Sequence, residues 1–271
     1  MEELCRRIRM PEEVTGILLR LHRDPAFQPD LGDLIREETW ETGLSALRNV
    51  LGEDPQGFKM LCCMLRCALD ARQNYRALGL SDEIYYDTMG CFSRFVREHM
   101  ASYGCWGFDR DFWTVRQISC RLFRIGQLEY ELIHRDGVPC LSLHIPTDVK
   151  LQLPLLRDSW LQARKVLFRS FPEYESASFF CHSWLLSPDL ASILPPESNI
   201  LAFQRSFDIT PLDKPCTGVI QWVFKNPKLL PEAYPENTSL QRGLKAFLLA
   251  GNRFRDAWGI LSRDPFLRDL R

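Results

Sequence analysis

Long apolar runs, an excess of either charge and paired metal-binding cysteines are all missing from this 271-residue chain. No stretch approaches the roughly eighteen uninterrupted apolar residues that cross a bilayer. The opening MEELCRRIRMPEEVTG has no apolar core of the kind that heads a secretory signal, so a cytoplasmic protein with no membrane partner is expected. With 34 basic and 35 acidic residues the formal net charge is −1, which leaves no global field to recruit nucleic acid. Ten cysteines in so long a chain without a signal segment read as reduced thiols, not as a disulfide scaffold. The nearest approach to a metal motif, CCMLRC with Cys62, Cys63 and Cys67, lacks the ligands to complete a tetrahedral set, so no metal is expected and the three read as small hydrophobes.

What is present is ordinary globular composition, 45% hydrophobic and 25% charged, in a chain long enough for two modest domains or one large one. Up to about residue 118 the apolar period is helical. In GFKMLCCMLRCALDARQNYRALGL the residues Phe58, Leu61, Cys62, Leu65, Ala68 and Leu69 recur at i, i+3, i+4, i+7, and Gly79 supplies a stop. Ser81 caps a second long helix with Ile84, Thr88, Cys91, Phe92, Phe95 and Val96 on one stripe. Shorter helices fit 11–22, 30–38, 40–51 and 109–119.

From about residue 121 the period becomes two. IGQLEYELI alternates, an Asp-Gly turn follows, and PCLSLHIP completes a hairpin. A helix through LPLLRDSWLQARKVLFRSF leads to an apolar strand, SFFCHSWLL, and a short helix, SPDLASIL, capped by Ser187. A second round of the same order is then expected. It comprises strand NILAFQRSFDIT, turn PLDKPCTG, strand GVIQWVFK, a Pro-rich loop from 226 to 237, helix TSLQRGLKAFLLAG and strand RFRDAWGIL. The fold class is thus α+β: an all-α N-terminal domain (1–118) followed by a mixed β-sheet domain flanked by helices (119–271).

Two stretches carry candidate chemistry. SFFCHSWLL groups three reactive side chains, but alternation puts Phe180, His182 and Trp184 on one face and Cys181 and Ser183 on the other, so no local nucleophile–base pair forms. His182 is expected in a buried aromatic layer and Cys181 is expected to be inert. A cysteine hydrolase using Cys181 is the weakest of three functional readings. TSLQRGLKA holds a capping box, Thr238 and Gln241, followed by Arg242, Gly243 and Lys245. Two readings stand side by side: a helix start whose cations and free N–H groups around Gly243 face an anion, or a well-capped surface helix packing Leu240, Leu244, Phe247 and Leu248 on the sheet.

The succession DFWTVRQISCRLFRIGQLEYEL, LSLHIP, CHSWLL, SNILAFQ and TSLQRGLKAFLLAG resembles a bacterial acyltransferase family that joins a helical N-terminal acyltransferase domain to a GNAT-like C-terminal domain. The resemblance implies transfer of an acyl group from acetyl-CoA or another acyl-CoA to a small-molecule amine, by direct attack and without a covalent enzyme intermediate. It also implies a pyrophosphate held at a helix start, near Leu151 or at Thr238, Gln241, Arg242, Gly243 and Lys245. The glycine turn of the GNAT superfamily is absent, however: TDVKLQLP after LSLHIP contains no glycine, and TSLQRGLKA has the wrong spacing. That departure supports the rival reading, a non-catalytic GNAT-like module that binds a ligand or a protein.

The mechanism implied by the resemblance needs a proton acceptor. His144 shares the polar face of its strand with Cys140 and Ser142 and suits the role; Glu129, beside Glu131 on the polar face of its strand, comes second, and His182 third. Tyr130 reads as core. Arg116, Arg121 and Arg124 at the domain junction read as partners of acidic residues or as anchors for an anionic substrate group.

Overall fold

The protein is described by a computed structural model over residues 1–216, 218–225 and 229–262. It divides into two compact units, Met1–Ile125 with Glu129–Leu132, and Gly126–Leu128 with Ile133–Arg271.

The first unit is built from α1 (Glu2–Arg7), α2 (Glu12–Arg23), α3 (Trp40–Leu51), α4 (Phe58–Ala77), α5 (Asp82–Tyr103) and α6 (Asp111–Ile118). The stretch expected as a helix over 30–38 is only a 3₁₀ turn, Gly32–Ile35. α4 is the central helix. Leu61, Cys62, Cys63, Met64, Leu65, Cys67, Ala68 and Ala71 are all buried, a spread wider than one stripe. The three cysteines of CCMLRC therefore act as core, and burial pushes their thiols up to about 11, 12 and 12 for Cys62, Cys63 and Cys67. Two buried phenols fasten the neighbours: Tyr75 donates to the Gln117 carbonyl (2.8 Å) and Tyr85 to that of Ala68 (2.7 Å). Ser81 caps α5 as expected, its hydroxyl accepting from Ile84 N–H. The unit ends with β1 (Leu122–Ile125) beside the middle of β2 (Leu128–Arg135), where Leu132 N–H donates to the Arg121 carbonyl.

In the second unit the strands run in the order β3-β4-β6-β5, with β3 at Val138–His144, β4 at Ser178–His182, β5 at Phe207–Pro215 and β6 at Arg255–Leu261. Asp136 and Gly137 both take positive φ (52° and 78°), the geometry that lets an Asp-Gly pair close the β2–β3 hairpin. β3 and β4 are parallel, joined by α7 (Leu153–Ser170), whose Leu156, Trp160, Ala163 and Leu167 form a fully buried stripe. Trp160 meets Phe207 of β5 edge-on at 6.3 Å, which places α7 on the face carrying Phe179, Cys181, Gly259 and Leu261.

Several stretches fold otherwise than their local pattern suggests, among them the expected turn PLDKPCTG, whose residues 211–215 belong to β5. GVIQWVFK forms a helix, α10 (Gly218–Phe224), because Val219, Val223 and Phe224 share a buried side at helical spacing. NILAFQ is likewise helical, α9 (Asn199–Gln204), capped by Ser198, and the strand begins only at Phe207. SFFCHSWLL is a strand only to His182; Trp184–Leu186 turn as 3₁₀. A second β-β-α-β round therefore does not form. α8 (Leu190–Ile193), α9, α10 and α11 (Ser239–Leu249) instead enclose a second core around Leu190, Val219, Val223, Tyr234, Leu244 and Phe254. Leu240, Phe247 and Leu248 pack into that core, where packing on the sheet was expected. Thr217 of the expected turn and residues 226–228 of the expected loop lie outside the described residues, as do 263–271.

Candidate active site

The sheet of the second unit brings both candidate histidines to one edge. β3 and β4 pair through Cys140↔Ser178, Leu141↔Phe179 and Ser142↔Phe180, and each strand then runs two residues past that last rung, to His144 and His182. Side chains opposite one another on parallel strands point to the same side, so His144 and His182 share the face of Ser142 and Phe180. The carboxyl ends of neighbouring parallel strands are where open α/β sheets take their ligands.

His182 does not lie in a buried aromatic layer. Its side chain is 46% exposed, and Nε2 lies 2.8 Å from Oδ2 of Asp256, a carboxylate only 13% exposed. Parity was right, but the covered face is the other one, under α7. Asp256 stands diagonally across the β4–β6 ladder, since His182 pairs with Trp258 and strands alternate. On the same face Phe180 and Trp258 lie 5.5 Å apart, and the Arg135 guanidinium sits over both rings, 3.9 Å from the Phe180 centroid and 5.1 Å from that of Trp258.

The neighbours of His182 in sequence take no part. Ser183 caps the 3₁₀ turn, its hydroxyl accepting from Leu185 N–H. Cys181 is fully buried and its thiol is pushed far up by desolvation. Iodoacetamide is expected to alkylate exposed Cys105 in the native protein and to leave Cys181 unmodified, as read by peptide mass spectrometry. Rapid labelling of Cys181 before denaturation would restore the thiol reading.

Glu129 lies in the first unit, 3% exposed, and accepts from Arg94 at 2.7 Å. Glu131 holds Arg116 at 2.8 Å, and Arg121 pairs with Glu37 at 2.9 Å, so these two arginines have acidic partners. Tyr130 is buried core.

The start of α11 is occupied by its own side chains. Thr238 and Gln241 make the reciprocal capping box, and Gln241 also donates to the Val223 carbonyl (3.0 Å). Arg242 donates to the Glu236 carbonyl (2.9 Å), and Lys245 binds the Glu236 carboxylate (2.7 Å) and the Tyr234 carbonyl (3.0 Å). A Cβ on Gly243 would stand 2.7 Å from the Ile193 carbonyl oxygen, so this glycine permits close packing of α11 on α8. The start of α7 is different. Gln152 makes no side-chain cap, the first turn carries no acid, and Arg157 Nε, in the second turn, has no hydrogen-bond partner among the described residues.

Asp256, Arg135 and Arg157 were missed by sequence reasoning. Asp256 alone left a signal: a carboxylate directly before the apolar run AWGIL of its strand, where a buried charge needs a partner.

A family profile described as a GNAT-like C-terminal domain matches residues 122–261, and one described as an N-acyltransferase N-terminal domain matches residues 1–120. The chain belongs to the GNAT-like C-terminal domain family. The helical first part and the mixed sheet with helices of this GNAT-like protein are the α+β architecture expected from its sequence. Among solved structures it is similar to an acyltransferase in complex with decanoyl-CoA and teicoplanin (24% identity, TM-score 0.81). It is also similar to an acyltransferase with CoA and 10C-teicoplanin (23%, 0.80) and to an acyltransferase mutant with octanoyl-CoA (24%, 0.81). Each alignment covers 96% of this chain and 86% of the other. At this identity the likeness is one of fold. Comparison of the GNAT-like chain with curated proteins found no significant match. Among its described residues there is no cluster of metal-binding side chains and no helix long and apolar enough to cross a membrane.

Proposed function

We propose that this protein transfers an acyl group from an acyl-CoA to the amine of a small acceptor by direct attack on the thioester. The observation that carries the reading is the parallel β3–β4 pair, whose rungs stop short of the strand ends at a face bearing two histidines. The pantetheine arm would lie where the pairing stops, and a histidine at that edge would take the amine proton. Membership of the GNAT-like family supports acyl transfer, and the decanoyl- and octanoyl-CoA bound by its structural neighbours support an acyl-CoA donor.

The pyrophosphate is assigned to the start of α7 in preference to that of α11. α7 follows β3, is eighteen residues long and is uncapped by its own side chains, so its dipole and the first-turn N–H groups other than at Pro154, which has none, are available to an anion. Lys150, just upstream, and Arg157 would add charge. Arg157→Ala is expected to weaken decanoyl-CoA binding about tenfold in a calorimetric titration. Thr238→Ala should cost about 1 kcal/mol of stability and leave affinity unchanged. The reverse pattern would move the phosphates to α11.

One feature favours a rival. The loop after β3, Thr147–Gln152, has no glycine, as expected of a GNAT-like module that binds without catalysis. Saturable decanoyl-CoA binding with no thioester turnover in the presence of primary amines would favour that reading, and turnover would exclude it.

A further inference from the structure

The contact between His182 and Asp256 assigns a direction to the proton. Nε2 of the ring is 2.8 Å from Oδ2. The carboxylate is held on its other side, where Oδ1 accepts the Ala257 N–H at 3.0 Å, and Lys214 Nζ stands 3.5 Å from Oδ2. An ionised carboxylate only accepts hydrogen bonds, so a neutral His182 must carry its hydrogen on Nε2, and the lone pair then sits on Nδ1. Among the described residues Nδ1 makes no hydrogen bond, and the ring is half exposed on the face it shares with His144.

We infer that Asp256 is a positioning residue that fixes His182 as the Nε2–H tautomer and thereby makes Nδ1 of His182 the atom that takes the proton from the attacking amine. The inference rests on the acyl-transfer reading above and assigns the base within it. In the reaction the amine nitrogen bonds to the thioester carbonyl carbon as its proton passes to Nδ1. Asp256 stabilises the resulting imidazolium, the C–S bond breaks with its electron pair on sulfur, and Nδ1–H returns the proton to give the thiol and an amide.

The test uses the full chain and two readouts, the imidazole ¹⁵N signals of His182 and thiol release from decanoyl-CoA with 2-phenylethylamine as acceptor. Wild type should show the Nε2–H tautomer. In Asp256→Asn the amide N–H donates to Nε2 and turns the ring to the Nδ1–H form, so kcat should fall about 10²-fold while KM for decanoyl-CoA stays within about twofold. Asp256→Glu, which restores an acceptor, should recover most of that loss, and His182→Ala should cost more than His144→Ala. An Nδ1–H tautomer in wild type, a kcat for Asp256→Asn within about threefold of wild type, or a greater loss in His144→Ala would each overturn the inference. If wild type releases no thiol, the acyl-transfer reading falls, whereas the tautomers of wild type and Asp256→Asn still decide what Asp256 does.

Discussion

Glu129→Ala is expected to destabilise the first unit by about 3 kcal/mol or more, the range for breaking one side of a buried ion pair. Arg94 Nη2 is 2.7 Å from the Glu129 carboxylate, with the two side chains 9% and 3% exposed. Glu98, one turn along α5, reaches the guanidinium at 3.6 Å, and the cation also lies 4.9 Å from the Phe95 ring centroid. Truncating Glu129 removes the shortest of these ion pairs while leaving a cation that the surrounding core cannot solvate. Removing both partners, as Arg94→Met with Glu129→Leu, should cost less than Glu129→Ala, because no buried guanidinium then loses its shortest ion pair and only Glu98, 17% exposed, loses a contact at 3.6 Å. Urea denaturation followed by tryptophan fluorescence measures both, and a Glu129→Ala loss below about 1 kcal/mol would show the pair to be dispensable. The same geometry bears on chemistry. A carboxylate committed to a guanidinium inside a core has little reach toward a substrate amine, so Glu129→Gln should lower stability far more than it lowers the kcat of folded protein.

Gly57→Ala should be comparably severe, for a reason that lies in the backbone. Gly57 precedes α4 with φ at +70°, and its carbonyl accepts the Leu61 N–H that opens the helix. A Cβ built there would lie 1.9 Å from the Phe108 carbonyl oxygen, whose own residue donates its N–H to Gln56 (2.8 Å). Left-handed backbone costs an L-residue roughly 1–2 kcal/mol, and the overlap with a pinned carbonyl adds a further 1–3 kcal/mol or so. The turn must open, and with it the start of the most buried helix in the unit. Gly79→Ala makes the control. It too has positive φ (+73°), but nothing lies within 4 Å of its would-be Cβ, so only the conformational cost remains. Equal melting temperatures for the two variants would refute the steric account.

Much of the chain could be read from pattern alone. The long helices α4 and α5, the cap at Ser81, the Asp-Gly hairpin, the capping box of α11 and the alternation in β4 follow from short-range rules of period and turn chemistry, which do not depend on what lies across the fold. The strands expected at GVIQWVFK and NILAFQ were misread for one cause. GVIQWVF is β-branched and aromatic, and a short apolar run fits a buried strand and a buried helix equally well until its neighbours are known. Here α11 and Tyr234 offer a convex apolar partner, with the Phe224 and Tyr234 rings stacked at 4.0 Å, and the helix is formed.

The sequence by itself determined the division into a helical and a mixed part and the separation of Cys181 and Ser183 from His182, because each is a matter of period or parity along one segment; the family followed from a resemblance spread over many segments. Only the tertiary structure decided which face of β4 is covered, that Asp256 reaches His182 across the β4–β6 ladder, and that Glu129 is spent on Arg94. Alternation says that two faces differ, but burial and pairing are set by residues 35 to 74 positions away in the chain, whose proximity no local pattern encodes.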